Sequence, residues 1–232
     1  MKYILSLFFL LSSFSIFAYQ VNPMVSELLP MGSGSQQTMR IINTSHKTLT
    51  IEILAYNLLI DQHGKENLKE NDSDFLIIPM TTIIPPGKAQ SIIVRYIGEP
   101  VLSASEAYRI AVNQVVVDLD DGGYSGVDMT VSFRTLLNVV PKNSKAQLVI
   151  LSKEQTRENT WNVLLENKGN RYIRLSKAKW VIESENNKLV LEGKELSEAL
   201  SGKLLLPNSR REISIVLPEK FKADTSTLEV IF

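Results

Sequence analysis

Three observations predict an all-β fold built as two successive β-sandwiches. Short β-branched runs recur along most of the chain, each bounded by Gly, Pro, Asn, Asp or Ser. No segment longer than about two turns carries a clean helical period. At Val140-Pro141-Lys142-Asn143-Ser144-Lys145 a proline closes a long apolar run, a polar stretch follows, and the pattern of short runs then starts again.

The elements follow in order. Residues 1–18, MKYILSLFFLLSSFSIFA, hold one lysine and an apolar run from Ile4 to Phe17 interrupted only by serines. That run is shorter than the roughly 20 residues that cross a bilayer, and Ala18 offers a small residue for cleavage before Tyr19. It therefore predicts a secretory signal peptide rather than a stable membrane anchor. Strands are expected over Met39–Ile42, Thr48–Tyr56, Leu76–Ile78, Gln90–Tyr96, Tyr108–Val117 and Met129–Val140. Between them lie turn-forming segments such as INTSHK, DQHGKENLKENDSD, IPPGK and DLDDGGYSG. Strands at this spacing suit a sandwich with Greek-key connections. Beyond the break, strands are expected over Gln147–Leu151, Thr160–Glu166, Ile173–Glu183, Lys188–Glu192, Leu204–Leu206, Glu212–Leu217 and Leu228–Phe232, with one helical turn at Glu195–Leu200. The domains are then 19–141 and 146–232.

Composition narrows the chemistry. The chain has 25 basic and 25 acidic residues, and Lys2 is the only charge before Tyr19, so 24 basic residues face 25 acidic ones afterwards. No basic excess exists to grip nucleic acid or a membrane surface. Cysteine is absent, which removes thiol nucleophiles, thiolate metal sites and disulfides together. The two histidines, His46 and His63, sit among turn-like polar residues and read as solvated, since a zinc site or a triad needs converging partners. Asp118, Asp120 and Asp121 precede Gly122 without the later acidic ligand of a calcium loop. Neither a G-x-S-x-G elbow nor a phosphate loop is present. No catalytic residue, metal or cofactor is expected.

Several segments carry a family resemblance: VNPMVSELLPMGSGS at 21–35, IIPPGK at 83–88 with VRY at 94–96, EAYRIAVNQ at 106–114, VDLDDG at 117–122 and ENKGNR at 166–171. In this order the chain resembles the periplasmic chaperones of chaperone–usher pili, and within them the archaic branch. The resemblance implies two immunoglobulin-like domains in an L-shaped arrangement, located in the periplasm. It implies as partners pilus subunits and an outer-membrane usher, and leaves open whether the free chain self-associates through the strand it lends. A pilus structural subunit or adhesin of the same pathway is the alternative, but such proteins commonly have one domain and a disulfide.

A chaperone of this kind completes a pilin that lacks its last strand, by β-augmentation: backbone hydrogen bonds give affinity and alternate side chains fill the pilin core. The family spacing, counted back from Pro141, places the donor residues at Val127, Met129 and Val131 in the segment Gly126–Val140. Asp128, Thr130 and Ser132 alternate with them, as a period of two demands. Phe133 has the same parity and is either the last donor or an anchor in the chain's own core. Family members also hold the pilin C-terminal carboxylate with cations. The first strand Val21–Leu29 has no arginine, and the family's donor-strand lysine position holds Leu136. The resemblance then makes Arg109 the first candidate for the carboxylate anchor and Arg134 the second. It also implies that Arg95 pairs with Glu106 to lock the angle between domains.

Overall fold

The computed structural model describes residues 19–115, 130–157, 159–200 and 203–232. Its first ten strands are β1 (Tyr19–Asn22), β2 (Val25–Leu28), β3 (Gln36–Asn43), β4 (Leu49–Ile60), β5 (Glu66–Glu70), β6 (Phe75–Ile78), β7 (Thr81–Ile84), β8 (Ala89–Tyr96), β9 (Glu106–Gln114) and β10 (Ser132–Val139). One sheet runs β1-β3-β8-β6; the other runs β2-β10-β9-β4-β5, with β7 also paired to β4. The opening segment thus changes sheets at Pro23, which has no N–H to continue a ladder. Before it β1 is antiparallel to β3, and after it β2 is parallel to β10.

Alternation along the strands builds the first core. Met39 and Ile41 of β3, with Ile92 and Val94 of β8, meet Ile51 and Ile53 of β4, Ile110 and Val112 of β9, and Leu137 and Val139 of β10. All ten lie in one buried cluster between the two sheets, as the period of two requires.

Eight further strands follow: β11 (Leu148–Arg157), β12 (Thr160–Asn167), β13 (Ile173–Arg174), β14 (Lys179–Ser184), β15 (Asn187–Leu191), β16 (Leu204–Leu205), β17 (Ser209–Val216) and β18 (Thr227–Ile231). They form sheets β11-β12-β17, β13-β16 and β15-β14-β18. A short helix, α1 (Gly193–Ala199), stands where the helical turn is expected. This half has its own core, in which Trp161, Val163 and Leu165 of β12 meet Trp180 and Ile182 of β14, Ile213 and Ile215 of β17, and Phe221.

The structure differs from the sequence expectations at four places, the first being the opening strand expected at Val21–Leu29, which is split into β1 and β2. β5, Glu-Asn-Leu-Lys-Glu, falls inside a segment expected to be a turn. Its charges suit an edge strand, where lysine and glutamate discourage pairing with other chains. β7 forms between Ile78 and the IPPGK turn, where no strand was expected. The single strand expected at Ile173–Glu183 is instead β13 and β14 with a 3-10 turn at Leu175–Lys177 between them, so that Leu175 enters the second core.

Candidate functional site

β10 is the element around which the site is built. It pairs with β9 along its whole length, from Ser132↔Asn113 to Val139↔Glu106, in an unbroken register. Its other side is covered only in part, because β2 pairs with Leu136–Val139 and stops there. The last bond on that side runs from the Leu136 N–H to the Met24 carbonyl, 2.9 Å. Among the described residues, Ser132–Thr135 therefore present an unpaired backbone edge. Since Gln114 donates to the Val131 carbonyl on the β9 side, it is the backbone groups of Ser132 and Arg134 that point to the open side.

The faces of β10 divide cleanly. Val131 and Phe133 are half-buried against the first core, continuing the parity of Leu137 and Val139. The Phe133 ring meets Tyr19 edge to face, with centroids 4.8 Å apart and planes at 73°. Phe133 thus packs against the chain's own first core. Tyr19 ties the same region together: its hydroxyl lies 2.6 Å from the Val112 carbonyl and 2.9 Å from the Val131 carbonyl. Burial pushes its pKa up to about 12, against a smaller opposing hydrogen bond from the Phe133 backbone. Val127 and Met129 lie outside the described residues.

The opposite face of this sheet turns toward the second sandwich. Ala107 of β9, Leu136 of β10 and Leu58 of β4 join Val140, Tyr172 and Leu204 in a third buried cluster that spans the two halves of the chain. Arg109 is directly opposite Leu136, and Arg134 directly opposite Ala111. Directly opposed residues share a face, so both arginines stand on this side, as diagonal neighbours about 7–8 Å apart at the backbone. Arg134 is exposed, and the unbroken register leaves it on the face opposite Val131.

Arg109 has 19% of its side chain exposed and is engaged by Glu66, which reaches across β4 from β5. The contact is two-pronged: Nε donates to Oε2 at 3.2 Å and Nη2 donates to Oε1. Such a fork binds a carboxylate with both charge and geometry.

The angle between the halves is held differently from the sequence expectation. Arg95 and Glu106 form no ion pair. Arg95 points outward from β8 in the four-stranded sheet, whereas Glu106 opens β9 in the other sheet and accepts the Tyr108 hydroxyl at 2.5 Å. The bridge is made instead by Glu27 of β2, which accepts from Arg171 Nη2 at 3.0 and 2.8 Å and from the Tyr172 hydroxyl. Beside it, Ser105 N–H donates to the Asn170 carbonyl and the Ser105 hydroxyl accepts from Tyr172 N–H at 2.8 Å. Glu27 and Arg171 lie within segments that carry the family resemblance, but only their folded positions show that they pair.

A second contact is made by the β4–β5 hairpin tip. The Glu212 N–H donates to the Gln62 carbonyl at 2.7 Å, and His63 Nδ1 lies 3.0 Å from a Glu212 carboxylate oxygen. Beneath this tip lies Arg211 of β17, 7% exposed, with Nε and Nη1 buried and unpartnered among the described residues. Its guanidinium packs so close to Gly64 that a Cβ there would collide with it, and Gly64 also needs its positive φ of 93°. Burial pulls the Arg211 pKa down, while Asp61 and then Glu66 push it back up.

No family model matches the chain, and no curated protein matches it in sequence. Solved structures do. A chain from a chaperone–tip adhesin pre-assembly complex, CsuC–CsuE of the archaic chaperone–usher Csu pili of Acinetobacter baumannii, aligns with a TM-score of 0.60. The alignment covers 92% of this chain and 97% of that one, at 17% identity. The class 5 fimbriae chaperone CfaA aligns at 0.59 over 93% and 99% of the two chains, with 14% identity. A chain of the chaperone–tip adhesin complex of CFA/I fimbriae biogenesis aligns at 0.59 over 92% and 98%, with 16% identity. The chain has the fold of the fimbrial chaperones. That fold is a pair of immunoglobulin-like β-sandwiches, and this chain matches it across both halves.

Proposed function

We propose that this chain is a periplasmic chaperone that binds pilus subunits by lending them β10 and the segment before it, and that delivers them to an outer-membrane usher. The observation that carries the reading is the unpaired edge of Ser132–Thr135, beside a sheet face that holds Arg109 and Arg134. An incomplete pilin adds its own strand along that edge. Alternate residues upstream, Val127 and Met129, enter the pilin core, and Val131, half-buried against this chain's own first core, ends that donor row; each side chain that enters contributes roughly 1.5–3 kcal/mol on full burial. Arg109 captures the pilin C-terminal carboxylate and sets the register, and Arg134 lies one diagonal step away to share the charge. The solved structures support this reading by their fold, and two of those described come from chaperone–tip adhesin complexes. The signal-like segment 1–18 supports export, and no helix among the described residues is long and apolar enough to cross a membrane.

The test is co-expression with a pilus subunit that lacks its last strand. Arg109→Ala should reduce periplasmic pilin complex at least tenfold while the variant itself keeps wild-type melting behaviour, and wild-type complex yield would sink the anchor assignment. A charged residue in place of Met129 should likewise abolish the complex, as a charge cannot enter an apolar groove unpaired.

A further inference from the structure

The cation proposed to anchor a client already holds a carboxylate. Glu66 grips Arg109 through two parallel contacts, Nε to Oε2 and Nη2 to Oε1, the same fork that a peptide C-terminus would make. It does so from β5, at the edge of the sheet, on the strand that follows the hairpin docked against β17. An arginine side chain that is four-fifths covered and already forked to one carboxylate has little room for a second bidentate one.

Under the same hairpin lies a second cation, Arg211. Arg211 is buried, and two of its nitrogens find no partner among the described residues. Asp61 and Glu66 are the carboxylates whose charge acts on it. An unpaired guanidinium in such a place is costly, and a carboxylate approaching it is correspondingly favoured.

We infer that Glu66 is an internal stand-in for the client carboxylate, released from Arg109 when a client terminus arrives and received by Arg211 of the second sandwich. This rests on Arg109 being the anchor. Capture is then an exchange of one ion pair for another, so the client gains registration from Arg109 without the full affinity of a free cation. That keeps the complex reversible, as a carrier requires. It also makes occupancy of the anchor felt at β17, across the junction between the halves.

Acetate is the probe, because it presents a carboxylate and nothing else. The Nε–Hε signals of Arg109 and Arg211 are followed by NMR during acetate titration of the mature chain, with assignments from Arg109→Lys and Arg211→Lys. In Glu66→Gln the acetate affinity read at Arg109 should rise about fivefold, the order expected when one partly exposed competitor is removed. In the wild type, the Arg211 signal should shift in step with Arg109, and in Glu66→Gln it should not move. Equal acetate affinity in the two proteins overturns the proposal, as does an Arg109 signal that ignores acetate in Glu66→Gln. Either result is separate from a failure of the anchor assignment, which is read from pilin yield with Arg109→Ala and wild-type Glu66.

Discussion

Asn138 is fully buried on β10, on the same face as Leu136, and both of its amide atoms lack a partner among the described residues. A buried amide with neither bond made costs about 1–3 kcal/mol relative to a satisfied one. Asn138→Leu, of similar volume, should therefore raise the urea midpoint by the equivalent of about 1–2 kcal/mol with an unchanged slope. A neighbouring polar group behaves in the opposite way. The Tyr19 hydroxyl serves two strand carbonyls, so Tyr19→Phe should lose about 1 kcal/mol. Folding raises the Tyr19 pKa from 10.0 to about 12, which means the neutral form is the one the fold stabilises. That contribution is complete below pH 10 and is lost as pH climbs through 12, so the gap between wild type and Tyr19→Phe should close over that window in denaturation curves.

At the level of elements, β10 does two tasks with its two faces. Odd positions hold it to the first core, where Phe133 meets Tyr19, and even positions supply Arg134, Leu136 and Asn138 to the face toward the second sandwich. Phe133→Ala should destabilise the protein by about 2 kcal/mol, less than for a fully enclosed ring, measurable by chemical denaturation. Such alternation is legible in a sequence, which is why the strand and its parity could be read before folding. β5 was not legible, because Leu68 is the only apolar residue in Glu-Asn-Leu-Lys-Glu and an edge strand needs little more. Yet β5 carries Glu66, so the carboxylate that engages Arg109 was hidden with it.

For the whole molecule, the junction between the sandwiches is a small apolar cluster rimmed by polar contacts. Leu136, Val140, Tyr172 and Leu204 fill it, Glu27 with Arg171 and Tyr172 closes one side, and the β4–β5 tip with Glu212 closes another. Neither rim is covalent and each half has a core of its own, so the angle between halves rests on non-covalent contacts alone. Glu27→Ala removes one rim. Small-angle scattering should then show a wider distribution of overall dimensions, while near-ultraviolet dichroism from Trp161 and Trp180 in the second core stays as in the wild type. An unchanged scattering profile would mean that the apolar cluster alone sets the angle.

The sequence by itself determined the all-β class, the break near Pro141, most strands and the two faces of β10, because a period of two and turn chemistry are local properties of a chain. It also placed Arg109 and Arg134 on strands that follow one another along the chain. Only the tertiary structure decided which charges meet. Glu66 with Arg109, Glu27 with Arg171, and Arg211 beneath Gly64 join residues far apart along the chain, whereas Arg95 and Glu106 are set on different sheets. Pairing of charges depends on sheet order and on how two sandwiches dock, and neither is written in the spacing of residues along one strand.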